Sequence, residues 1–228
     1  MSETQDKKEE VAAPSHGGDL QLNGLFAFKV GMSAIFNEEG ERVPVTVLKY
    51  EPMVVSQVKS ASTDGYEAVQ VAFLPDRASQ TNAAANKHLA KTGFENGAKF
   101  IREVRLEKAI EGVSVGQKVA LDSLKKGDMV KVTGLSRGRG FQGPVRRWNF
   151  NGGPATHGSG FHRKPGSVGN RTWPGRVMPG KRMAGQWGHE TVTIHGLKIV
   201  DVIPEENVLL VRGSVPGARN SLIGLMKV

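Results

Sequence analysis

Cysteine is absent from this 228-residue chain. Disulfides, thiolate nucleophiles and thiolate metal centres are therefore excluded. No apolar run approaches the roughly 20 residues that a membrane-crossing helix needs. Residues 1–21 are polar, with Lys7, Lys8, Glu9 and Glu10 adjacent and no apolar signal-peptide core. The expectation is a soluble intracellular protein with a disordered leader over 1–21. The most informative absence is local. Residues 136–189 contain no Asp or Glu, yet hold 10 Lys or Arg, 13 Gly, 5 Pro and all three Trp. The formal charge is +9 for the chain and +10 for this stretch, so everything else sums to −1. So localised an excess points to a polyanion, because Lys and Arg that neutralise phosphates release condensed counterions.

Outside that stretch 174 residues remain, enough for a hydrophobic core. Their apolar residues recur in short runs broken by turn residues. Strands are expected over 25–30, 32–36, 43–48, 53–58 and 66–73, with turns at 37–40, 49–52 and 60–65. Pro44 argues for an edge or the start of its strand, because proline supplies no ladder donor. The run 83–91 favours a helix by propensity, capped by Gly93, within a helical insertion near 76–97. Its Lys87, His88 and Lys91 suit an RNA-facing helix or a solvated one. Segment 100–106 mixes apolar with charged residues. Further strands are expected over 113–121, 129–134, 191–195, 197–202, 208–211 and 222–228.

This pattern gives a mainly β fold, a small antiparallel barrel or sandwich with a short helical subregion. Regular structure stops at Gly134 and resumes at Thr191. Strands on both sides make 136–189 an insertion in one body rather than a linker between two. Residues 22–135 form the first part of that body and residues 190–228 complete it.

The insertion reads as three contact modules. In the first, Arg137, Arg139 and Phe141 alternate with glycines before Arg146-Arg147-Trp148. Arginine forks onto phosphate or stacks on a base, and Phe141 offers a planar face. The second, 152–166, carries His157, His162, Arg163 and Lys164. The third, 166–185, carries Arg171, Trp173, Arg176, Lys181 and Arg182. Trp148 and Trp187 lie towards the two ends and suit packing, whereas Trp173 suits an exposed contact. The stretch is too poor in apolar residues to offset its ordering entropy with a core of its own. RNA supplies the missing contacts, so order is expected on binding.

Other chemistry finds no support. His157 and His162 have neither Cys nor carboxylate nearby to complete a zinc site. Ser159 lacks an acid to orient a histidine base. Gly180-Lys181-Arg182-Met183-Ala184-Gly185 lacks the spacing and the Lys-Ser/Thr pair of a phosphate-binding loop. Asp122, Asp128, Glu190 and Asp201 form no acid–base or metal motif. No small-molecule substrate and no required cofactor are indicated, and the protein is not expected to be an enzyme.

Several motifs taken together are specific. They are Lys29-Val30-Gly31-Met32, Arg139-Gly140-Phe141-Gln142-Gly143, Arg146-Arg147-Trp148-Asn149-Phe150 and Thr156-His157-Gly158. The runs 162–169, Pro174-Gly175-Arg176-Val177, 180–186, 209–213 and Val215-Pro216-Gly217 join them. With these motifs the chain resembles a bacterial member of the family of universal large-subunit ribosomal protein three, from Gly24 onward. The resemblance implies a translation-factor-like β-barrel body with a long, mostly irregular basic loop inserted between barrel strands. It implies direct binding of large-subunit rRNA of the 23S type, a part in assembly, and a loop that extends toward the peptidyl-transferase region. Neighbouring large-subunit proteins are implied partners, the large subunit in the cytoplasm is the implied location, and structural Mg2+ would be held by the rRNA.

Two departures stand out. Residues 1–20 precede the usual family start. In addition, some relatives carry a methylated glutamine in Gly-Gln-Asn-Gln-Thr-Pro-Gly. Here the segment is Gly169-Asn170-Arg171-Thr172-Trp173-Pro174-Gly175, so Thr172 stands in that glutamine's place.

Overall fold

The computed structural model describes residues 20–77, 82–94, 96–106, 110 and 112–228. Its strands are β1 Gly24–Phe36, β2 Arg42–Tyr50, β3 Met53–Lys59, β4 Ala68–Pro75, β5 Ala98–Arg105, β6 Lys118–Val119 and β7 Met129–Leu135. They continue with β8 Phe141–Gln142, β9 Gly185–Gln186, β10 Thr191–Ile203, β11 Val208–Arg212 and β12 Leu222–Lys227. Among the described residues the α-helices are short: α1 Ala61–Asp64, α2 Ala83–Leu89 and α3 Pro144–Trp148.

Alternation in β7, β11 and β12 sends Val130, Val132, Leu209, Val211, Ile223 and Leu225 to one side, where all six are buried. Six antiparallel strands bring such faces together by closing a barrel in the order β1-β12-β7-β10-β11-β2, with β2 paired back to β1. Burying each of the larger aliphatic side chains contributes about 1.5–3 kcal/mol. A second sheet, in the order β5-β4-β3-β6, shares the same core cluster. Phe73 and Phe100 of this sheet meet Phe26 and Phe28 of the barrel, with ring centroids 5.6–6.1 Å apart. At the sheet's edge β5 exposes Lys99, Arg102 and Arg105.

Some sequence expectations shift. The two strands expected within 25–36 are one, because a bulge between Lys29 and Gly31 bends β1 without ending it. Similarly, β10 runs through 191–203 with register shifts at Ile194/Leu197 and Ile199/Asp201. The strand expected over 113–121 shrinks to Lys118–Val119, since the Gly116 amide turns to the Val55 carbonyl at 2.9 Å. The turn at 60–65 holds α1, closed by Gly65. Helix α2 starts at the Asn82 side-chain cap and ends at Ala90 rather than Gly93. Pro44 is not first in β2, but it does sit on a local edge, since β11 pairs with β2 only from Val45 onward. It lies where β11 has just ended, and its carbonyl accepts the Gly213 amide at 2.9 Å. Of the leader, 1–19 lie outside the described residues, whereas Leu20 is already buried and bridges to Val119. Residues 78–81 and 95 of the expected helical insertion also lie outside them.

Strand β7 continues one residue past the expected stop, through Gly134 to Leu135. A Cβ on Gly134 would lie 2.7 Å from Ile223 Cδ1 and 3.1 Å from Pro216 Cγ. Gly134→Val is therefore expected to cost about 1–3 kcal/mol by overpacking, read as a lower urea midpoint.

Ahead of β7, Asp128 Oδ2 accepts Lys227 Nζ at 2.9 Å and the Lys125 amide at 3.0 Å. The hydrogen bond from Lys227, and then that from Lys125, hold its carboxyl below the usual carboxylate range. The folded value lies below the unfolded one. This contribution is thus present above the unfolded value and lost as pH falls through the folded one. Asp128→Asn should flatten the acid limb of a stability-against-pH curve measured by urea unfolding.

Candidate nucleic-acid interface

Residues 136–189 leave and re-enter the barrel between two strands bonded to each other. Leu135 is in register with Thr191, and Gly134 with Val192. The pairing continues outward as a stem. The Ser136 amide donates to the Glu190 carbonyl at 2.8 Å, and the Glu190 amide to Ser136 Oγ at 3.1 Å. Further out, the Arg139 amide meets the Trp187 carbonyl at 2.9 Å and the Trp187 amide meets the Gly140 carbonyl at 3.0 Å. Strands β8 and β9 extend this ladder by Phe141 opposite Gln186 and Gln142 opposite Gly185.

Beyond the ladder, α3 forms because Pro144 presets its first turn, and Asn149 closes it in the left-handed region. The helix aims two donors at one acceptor. Arg147 Nη1 and Trp148 Nε1 reach the Met183 carbonyl at 2.9 and 2.8 Å. The guanidinium groups of Arg147 and Arg182 stand 4.9 and 5.5 Å from the Trp148 ring centroid. Arg139 stands 3.9 Å from that of Trp187. These cation–π contacts pack the stem with little aliphatic material.

Past the clamp the chain holds itself by local bonds. The Gly153 amide donates to the His162 carbonyl at 2.6 Å, and the Lys164 amide to the Phe161 carbonyl at 3.0 Å. Every residue from 160 to 173 is exposed, and Trp173 is 83% exposed. Arg163, Lys164, Arg171, Arg176 and Lys181 all face solvent. Arg146, His157 and His162 are exposed as well, and Phe141 is 76% exposed. Arg137, at the root, lowers the pKa of Lys29, an effect second to that of burial. Lys29 Nζ in turn donates to the Val215 and Gly217 carbonyls at 2.8 and 3.1 Å.

The fourteen residues singled out from the sequence therefore divide. Arg139, Arg147 and Arg182 have aromatic partners within the stem. The others present charge or a ring outward, spread along the loop rather than gathered in a pocket. Among the described residues no carboxylate pairs with any cation of 136–189. An open run of fixed positive charge with stackable rings can engage phosphate and base faces, the two contacts single-stranded or folded RNA offers.

Sequence reasoning missed the Met183 carbonyl, because a backbone acceptor leaves no trace in residue type. It also missed Gly188. Its φ is +74°, and a Cβ there would collide with the Arg137 carbonyl oxygen. The Gly-His pair before Glu190 was the available signal.

A barrel with an acid-free loop bound between neighbouring strands defines a class of basic, loop-bearing scaffold. The comparisons give the class a family. The family model for ribosomal protein L3 matches residues 77–208. A large ribosomal subunit protein uL3 of Bdellovibrio bacteriovorus is 58% identical over 218 residues, covering 96% of this chain and 99% of its own. Proteins of the same name from Streptococcus pyogenes and Streptococcus mutans are 50% and 48% identical over 200 residues, each covering 88% of this chain and 94% of its own. The chain belongs to the ribosomal protein L3 family, whose members are structural proteins and not enzymes.

Gly188→Ala is expected to strain the stem by about 1–3 kcal/mol through the left-handed backbone. The Arg139 and Trp187 amides should lose hydrogen-exchange protection while Val132 and Leu225 keep theirs. Equal loss throughout would mean that stem and barrel open as one.

Proposed function

We propose that this protein is a structural component of the bacterial large ribosomal subunit, in the cytoplasm, and that residues 136–189 bind large-subunit rRNA of the 23S type. The observation that carries the reading is the run of ten cations with no carboxylate partner among the described residues, on a loop fixed only at its root. The body, 22–135 with 190–228, stays at the particle surface among neighbouring large-subunit proteins. Its likeness to translation-factor barrels belongs to the same reading. The loop extends inward toward the peptidyl-transferase region and helps to organise assembly. No cofactor is required, and any structural Mg2+ is held by the rRNA.

Recognition proceeds by shape and phosphate geometry. Arg137, Arg146, Arg163, Lys164, Arg171, Arg176 and Lys181 neutralise phosphates, with His157 and His162 beside them. Phe141 and Trp173 stack on bases or pack against sugars. Arg139, Arg147 and Arg182 shape the stem and offer their remaining donors. Thr172 removes glutamine modification from the tip and leaves its charge intact.

Two measurements test this. Arg163→Ala/Lys164→Ala should weaken binding to a large-subunit rRNA fragment and reduce the slope of log affinity against log salt by about 1.5. An unchanged slope would exclude phosphate contact by the pair. Amide relaxation should report residues 155–182 as mobile in the free protein and ordered on RNA. A loop equally rigid in both states would sink order on binding.

A further inference from the structure

We propose that the outer half of the β1–β2 hairpin is the docking surface for an extended, basic and partly apolar segment of another protein in the same particle; this rests on the large-subunit reading. Three observations converge on the hairpin. The first is an open edge. Strand β1 pairs with β12 only up to Phe28, and Lys29 adds bonds to Asn220 and Ser221. From Gly31 to Phe36 its sole strand partner among the described residues is β2. Such an edge offers amides and carbonyls in the geometry that an added strand takes.

The second observation is an apolar stripe on that segment. Met32, Ala34 and Phe36 alternate onto one face, opposite Thr46, Pro44 and Arg42. Met32 is 54% exposed and Phe36 73%, and Val30 at the bulge is 47% exposed. Large side chains left in water along an open edge are a cost that a partner removes.

The third is charge. Glu38, Glu39 and Glu41 at the hairpin tip are exposed, and no ion pair joins them among the described residues. Carboxylates so clustered repel phosphate, which disfavours RNA at the tip itself; Arg42 opposite Phe36 and Lys126 beside Glu38 and Glu39 are the neighbouring cations. They complement Lys and Arg, while the stripe calls for aliphatic or aromatic residues between those cations. The chain thus separates its charges, with the loop basic throughout and this tip acidic.

The test is a photo-crosslink in intact large subunits carrying the full chain with Phe36→p-benzoylphenylalanine. Sedimentation before illumination establishes that the chain is in the particle; its absence would overturn the large-subunit reading together with this proposal. With the chain present, the expected adduct is to a peptide of another protein that carries Lys or Arg beside apolar residues. Glu38→Lys/Glu39→Lys/Glu41→Lys should lower the yield about tenfold. Glu38→Gln/Glu39→Gln/Glu41→Gln should give a smaller loss in the same direction, and both should leave binding to an isolated rRNA fragment undiminished. Adducts to RNA, adducts to a second copy of this chain, no adduct, or a yield indifferent to charge would each overturn the proposal.

Discussion

The pairing of β7 with β10 is the constraint on which the loop depends. It holds Leu135 and Thr191 in register and so fixes both ends of the 54-residue excursion between them. A loop of that length bears a closure entropy that grows only slowly with further residues. The barrel provides that closure, because the paired ends are already part of its wall. Local order can then build outward in steps: the stem bonds, the short ladder, and the two hydrogen bonds donated to the Met183 carbonyl. Each step closes a smaller remaining loop than the one before.

The stem also decides which charges remain free. Tryptophan faces take up three guanidinium groups, so Arg139, Arg147 and Arg182 stiffen the base of the loop without a hydrophobic core. Their mutual repulsion is tolerated because they are partly exposed and screened by water and salt. The cations further out have no such partners among the described residues. A single composition, Arg with Trp and Gly, thereby yields a packed base and an open tip.

The sequence made some of this legible for physical reasons. Alternation in 129–134 and 222–228 is a direct consequence of one buried face, so those strands were readable. The missing carboxylates of 136–189 marked the loop without any structural knowledge. Trp148 and Trp187 read as packing residues because bulky rings at both ends of a glycine-rich segment have few other partners. Bulges were not readable. At Lys29/Gly31 the chain keeps its ladder while slipping one residue, and a glycine there looks like a break. The short β6 was overestimated because 113–121 has strand composition, but the bond from Gly116 to Val55 ends it. The division of arginines between stem and tip was invisible, since it depends on which ring lies across the loop.

Strand order along the chain has a consequence for synthesis. The barrel closes through β12, whose partners are β1 and β7. As the chain emerges from its first residue onward, the whole basic loop is made before β12 exists. During that interval β1 and β7 each lack a neighbour, and the ten cations of the loop are already part of the chain. The nascent protein therefore passes through a stage in which its basic loop is complete and its own wall is open. At that stage β7 and β10 can already pair beneath the stem, while the far side of β7 stays open until the last strand arrives.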